Sequence, residues 1–204
     1  MCILTDMKFF VVGLGNPGEE YENTRHNIGR MVLSYVNKKN GDDSWKADKI
    51  LKALVSKIKV ENHTVILLMP ETFMNNSGKS LATLVSTPKD ALRTIVIYDD
   101  LDLPLGTLKI SFNRSSGGHK GVESIRKVVK TDEFVRIRIG ISNRTPTGKL
   151  RKPKGEDAVQ TFILGKFKKN EEVVLKKVIK EAHDALITII EKGYVQAMNE
   201  FNQK

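Results

Sequence analysis

A single cysteine, Cys2, stands among 204 residues, so no disulfide can close within the chain and a reducing compartment is expected. No apolar run approaches the roughly 20 residues of a membrane-spanning helix. The segment MCILTDMKFF lacks a basic leader followed by an apolar core and a small-residue cleavage site, so cytoplasmic residence is expected. There is no G-x-S-x-G elbow, and a thiol near the start of the chain is a poor nucleophile. His and Cys form no cluster at ligand spacing, which counts against a metal site. Acidic residues are outnumbered: 24 Asp and Glu face 34 Lys and Arg, giving a net charge of +10. That balance fits a polyanionic partner or a solvated lysine-rich surface.

What the chain does have is alternation of strand and helix signals. Lys8–Leu14 reads as a buried strand, followed by a helix over Asn23–Lys39 with Asn23 or Thr24 as its cap. Ile50–Val60 and Thr64–Met69 read as paired strands. Met74–Leu84 reads as a helix, Thr94–Tyr98 as a strand ending at an acidic group, and Leu108–Phe112 and Val135–Ile141 as strands around a helix over Gly121–Lys130. Ser142–Asp157 reads as a mobile basic loop. Glu171–Lys192 is a long amphipathic helix with Val174, Val178, Ala182, Ala185 and Ile189 inward, and Val195–Phe201 a short last one. With no linker or repeat, residues 1–204 are expected to form one α/β domain. Its architecture is a three-layer sandwich: a twisted, mixed, mostly parallel sheet with helices on both faces. Chemistry in such folds gathers at the carboxyl ends of strands, here after Val12, Met69 and Tyr98.

The segment FFVVGLGNPGEEYENTRHNIG (9–29) is the densest. Gly13, Gly15 and Gly18 satisfy G-x-G-x-x-G, but the helix starts late, and Lys38 sits where an acidic ribose ligand belongs. Ser77-Gly78-Lys79-Ser80 fails as a phosphate loop because Phe73 replaces its first glycine. His26 is the best candidate base, with Asp99 or Asp100 available to orient its imidazole, and such a pair without a Ser or Cys partner would activate water. Asp99, Asp100 and Asp102 also suit an acidic turn or a cation site. Asn16, Asn75 and Asn76 offer amides to an oxyanion, or simply satisfy loop backbone.

The stretch from Arg114 to Gly121 (RSSGGHKG) leads into a helix and suits a phosphate. Arg144, Lys149, Arg151, Lys152, Lys154, Lys166, Lys168, Lys169, Lys176, Lys177 and Lys180 add positive surface. Beside a hydrolytic site, such a surface favours a nucleic-acid substrate.

In order along the chain, VVGLGNPGEEYENTRHNIG, MPETFMNNSG, YDDLDLPLGTLKI, SGGHKGVESI, RIRIGI and FILGKF resemble the motifs of the bacterial-type peptidyl-tRNA hydrolases. The resemblance implies a cofactor-free monomer that binds peptidyl-tRNA through its acceptor stem and nascent peptide. It implies cleavage of the ester between the peptide C-terminus and the tRNA 3′ ribose, recycling tRNA from aborted translation. Carried over by position, it implies His26 as base, Asp99 as its carboxylate partner, and Asn16 and Asn75 as amides that place and polarise the peptide. Tyr21 and Met74 are implied as pocket walls and Arg138 as a tRNA contact. Asn27, Gly118 and Lys120, within the matched motifs, are expected at the substrate.

The sequence also departs from the family pattern. Lys120 stands where the family usually has Asn, Arg114-Ser115-Ser116 replaces a glycine-rich stretch, Ser111 replaces a basic residue, and Tyr98 replaces the His that commonly precedes the aspartate. A lysine at 120 can donate but not accept. Two other readings therefore compete: an RNA-binding homologue without hydrolysis, and a nucleotide-dependent enzyme using Gly13–Gly18.

Overall fold

The structure, a computed structural model, describes residues 6–41 and 43–203, so Cys2 lies outside the described residues. The elements in order are β1 (Lys8–Gly13), α1 (Ile28–Asn40), β2 (Lys46–Asp48), β3 (Ala53–Val60), β4 (His63–Pro70), α2 (Pro88–Leu92), β5 (Thr94–Pro104), β6 (Leu108–Phe112), α3 (Lys120–Val129), β7 (Val135–Arg144), β8 (Leu150–Arg151), α4 (Glu156–Leu164), α5 (Glu172–Lys192) and α6 (Tyr194–Phe201). The sheet runs β2-β3-β4-β1-β5-β7-β6, with β8 paired to β7. Its centre, β4-β1-β5-β7, is parallel, and antiparallel strands extend both margins.

Both sheet faces are covered, which is why β1 reads as an unbroken apolar run. Phe9, Val11, Ile95 and Ile97 face α1, α5 and α6. Phe10, Val12, Val96 and Tyr98 face α3 and the segment holding Met74, Leu81 and Ala91. From β1 the chain crosses one face to reach β4, and from β4 it crosses the other to reach β5. The crevice above β1 lies where those connections part, the usual ligand position in such sheets. Two glycines bring α1 down onto that point. A Cβ on Gly13 would lie 2.5 Å from the Gly29 carbonyl oxygen, and one on Gly29 would strike the Leu14 backbone.

Several boundaries differ from those read in the sequence. The helix cap at Asn23 or Thr24 is not formed. Thr24 donates its hydroxyl back to the Tyr21 carbonyl, and a 3-10 turn, Arg25–Asn27, precedes α1. The cause is a tether: Arg25 N–H bonds the Gly165 carbonyl and Thr24 bridges Lys166. Met74–Leu81 is 3-10 rather than α, with the Ser77 and Ser80 hydroxyls bonding carbonyls three residues back. The strand at Thr94 continues past the acidic group to Pro104. Within the expected basic loop, Asn143 and Arg144 of β7 pair with Arg151 and Leu150 of β8, and α4 begins at Glu156. On α5, Val174 is 38% exposed, and Leu175 takes the inward position.

Candidate active site

The carboxyl ends of β1, β4 and β5 converge on a cleft of about 710 Å³. Strand alternation selects its carboxylate. Ile95 and Ile97 point toward α1, so Asp99 does too, while Tyr98 and Asp100 take the other face. The turn ahead of α1 then brings His26 to it, with Nδ1 2.8 Å from Asp99 Oδ1. Asp99 is 3% exposed and His26 7%. A carboxylate only accepts, so His26 Nδ1 carries the hydrogen and Nε2 is left bare.

A second imidazole reaches the same oxygen. His119 Nε2 lies 3.1 Å from Asp99 Oδ1, and the rings of His26 and His119 are 5.0 Å apart. Burial alone would raise the Asp99 pKa, but the two imidazoles more than offset it and hold the carboxyl well below the usual carboxylate range. Burial pushes the neighbouring Tyr98 phenol up to about 12.

The turn carrying His26 is anchored from below. The Arg25 guanidinium, 3% exposed, packs 4.8 Å from the rings of both Phe162 and Phe167 and grips Glu171 with both carboxylate oxygens engaged. Glu171 also accepts from Asn143 and from the Lys168 backbone. Burial works against its ionisation, yet these donors keep its pKa below the ordinary value.

Asn16 is fixed by chemistry that also settles its amide orientation. Met74 N–H donates to its Oδ1 at 2.9 Å, which leaves Nδ2 as the donor available to the cleft. Asn27, expected at the substrate, engages both ends of its amide with the Asn16 backbone. Asn75 is exposed on the rim, where its Oδ1 accepts from Asn76 at 3.4 Å. Tyr21 meets the exposed Phe73 ring edge-on at 6.5 Å, and Met74 is buried beneath them.

Opposite stand Gly118, Lys120 and Arg138. Gly118 has φ +82° with open space around it, and Arg138 lies 3.3 Å from Asp100. Lys120 reaches across the cleft mouth to Glu156 at the start of α4, 3.0 Å away, and Lys152 pairs with Asp102 nearby. Val159, Gln160 and Ile163 of α4 form the far wall. The lysines 166, 168, 169, 176, 177 and 180 are all exposed.

His26, Asp99 and His119 could be read as a metal triad. The donor set argues otherwise. Val122 N–H points at His119 Nδ1 (3.3 Å), so Nε2 carries the hydrogen and offers no lone pair to an ion. Sequence reading missed His119 and Arg25, because each was absorbed into a neighbour's motif. A histidine at the cap position of a helix, where Ser, Asp or Asn is usual, was the available signal.

Comparison with known proteins gives one answer throughout. The family model for peptidyl-tRNA hydrolase matches residues 10–204. A peptidyl-tRNA hydrolase of Thermoanaerobacter sp. (strain X514) is 44% identical over 195 residues, covering 95% of this chain and 99% of that one. That of Aquifex aeolicus (strain VF5) is 40% identical, with 95% and 96% covered. The crystal structure of peptidyl-tRNA hydrolase from Acinetobacter baumannii superposes with a TM-score of 0.84 at 31% identity, covering 96% of this chain and 94% of that one.

Proposed function

The chain belongs to the peptidyl-tRNA hydrolase family, and from that premise we propose how its own residues divide the work of hydrolysing peptidyl-tRNA. The observation that carries this reading is the His26–Asp99 pair, buried at the floor of a cleft with one imidazole nitrogen uncommitted. His26 Nε2 takes a proton from a water molecule, whose oxygen attacks the ester carbonyl. The charge that develops on the carbonyl oxygen is met by Asn16 Nδ2, fixed from behind by Met74 and Asn27, with Asn75 holding the peptide at the rim. His26 then returns the proton to the departing 3′ oxygen of the ribose, leaving a peptide acid and free tRNA. Asp99 stays ionised and stabilises the imidazolium.

Tyr21 and Met74 wall the peptide side. Gly118, Lys120 and Arg138 face the nucleic acid, and the exposed lysines of α5 and the hairpin supply the long-range attraction. Asn27 acts by holding Asn16. The chain works as a single-domain monomer in the cytoplasm, where its substrate arises.

The test is release of tRNA from an N-blocked aminoacyl-tRNA. Wild type is expected to release it and His26→Ala to do so at least about 100-fold more slowly. Equal rates would sink the assignment of His26.

A further inference from the structure

His119 belongs to none of the roles above, yet it is the residue most tightly joined to the catalytic carboxylate after His26. Its ring is 9% exposed and lies between Tyr98 (centroids 4.8 Å) and His26 (5.0 Å). Its two nitrogens have different jobs. Nδ1 accepts the Val122 backbone N–H and caps α3, and Nε2 faces Asp99 Oδ1. A neutral imidazole has one donor and one acceptor, and this arrangement uses each where its partner requires it.

From this we propose that His119 is a positioning residue of the reaction. Its Nε2–H fixes Asp99 Oδ1 against His26, while its Nδ1, capping α3, fixes the ring itself. The proposal rests on the reading of His26 as the base.

Three features support it. Asp99 Oδ1 receives both imidazoles, so the carboxylate has two fixed directions and cannot rotate away from His26 without breaking the second bond. The Val122 N–H at 3.3 Å occupies His119 Nδ1, so the ring presents Nε2 to Asp99 in one fixed orientation. The glycine after Lys120 makes the approach possible. A Cβ on Gly121 would press on Met74 Sδ and stand 3.2 Å from His119 Cε1, disturbing both sides of the site.

Helix capping and carboxylate positioning can be separated by substitution. In His119→Asn, the shorter amide oxygen still caps Val122 but its nitrogen falls short of Asp99. In His119→Gln, the amide nitrogen reaches Asp99 while the cap is weakened. Steady-state kinetics on N-blocked aminoacyl-tRNA are expected to show kcat about 10–100-fold down for His119→Asn, with KM within about twofold and Tm unchanged. His119→Gln is expected to keep kcat within several-fold of wild type and to lose about 2–4 °C in Tm. A wild-type kcat in His119→Asn overturns the proposal, as does a loss confined to KM or a His119→Gln as slow as His119→Asn. The ring ¹⁵N shifts of wild type at about pH 8 should identify His119 as the Nε2–H tautomer, and the Nδ1–H tautomer would also overturn it. His26→Ala is run alongside. If it stays active, the base assignment itself fails; if it is inactive while His119→Asn is unimpaired, only the role of His119 fails.

Discussion

Arg25 Nη2 lies 3.0 and 2.7 Å from the two carboxylate oxygens of Glu171, across 146 residues of sequence. One partner immediately precedes His26 and the other immediately precedes α5, so the pair rivets the catalytic turn to the longest helix. Phe162 and Phe167 against the guanidinium extend the rivet to α4, the far wall of the cleft.

Removing one partner of such a pair leaves a buried charge alone. Arg25→Met is expected to lose about 3–5 kcal/mol of stability by urea unfolding. The Glu171 pKa is lower folded than unfolded, so its contribution is complete above the ordinary carboxylate pKa and is lost as pH falls through the folded value. Unfolding free energy measured from pH 7 downward should therefore decline below about pH 4.5. In Glu171→Gln that part of the decline should be missing. An unchanged pH dependence in this variant would count against the rivet.

Asp99→Asn should reduce kcat by about 10²–10⁴-fold and leave KM within a few-fold, since the amide cannot stabilise the imidazolium. The same carboxylate sets the shape of the wild-type pH profile. Its pKa is depressed, so it is already ionised wherever imidazoles titrate. The acid side of log(kcat/KM) against pH should therefore rise with a slope of about one, with no second step from Asp99. A slope of two would show a second group losing a proton with it.

Gly29→Ala tests the descent of α1. The added Cβ would lie 2.5 Å from Leu14 N and 2.7 Å from the Leu14 carbonyl oxygen, which are backbone atoms with no room to yield. A loss of about 1–3 kcal/mol or more is expected by denaturant titration. Gly13→Ala meets the Gly29 carbonyl from the other side, so the double variant should lose less than the two single losses added.

Lys120→Asn should leave Tm unchanged, because the Glu156 pair is solvent-exposed at both ends. Its effect belongs to binding. With one fewer cation at the mouth, KM should rise, and its dependence on salt should flatten by about one unit of log–log slope if Lys120 meets a phosphate. A salt slope equal to that of wild type would place Lys120 off the nucleic acid.

Much of this was legible in the residues. Apolar runs gave β1, β5 and β7, and the α5 pattern was read to within a residue. His26 and Asp99 were reachable because each follows a legible apolar run, although β5 continues past Asp99 to Pro104 and α1 begins only at Ile28. The choice between Asp99 and Asp100 needed strand parity at the point where alternation meets α1. The 3-10 character of Met74–Leu81 was hidden, since it depends on serine hydroxyls bonding backward and on Gly78 pressing against the Ser124 backbone. Nothing local reveals that both ends of the Asn27 amide are taken by the Asn16 backbone. Arg25 and Glu171 carry no mutual signal in sequence at all.

The pairing of β1 with β5 in register, Val12 beside Val96 and Gly13 beside Ile97, has a kinetic side. His26 and Asp99 stand 73 residues apart in sequence and become neighbours only when those two central strands join. Their encounter is a high-separation event that local helix formation cannot supply. A chain with its helices formed but its central sheet open holds His26 and Asp99 without the pair they form. During refolding, return of turnover thus marks closure of the middle of the sheet and lags behind helical signal.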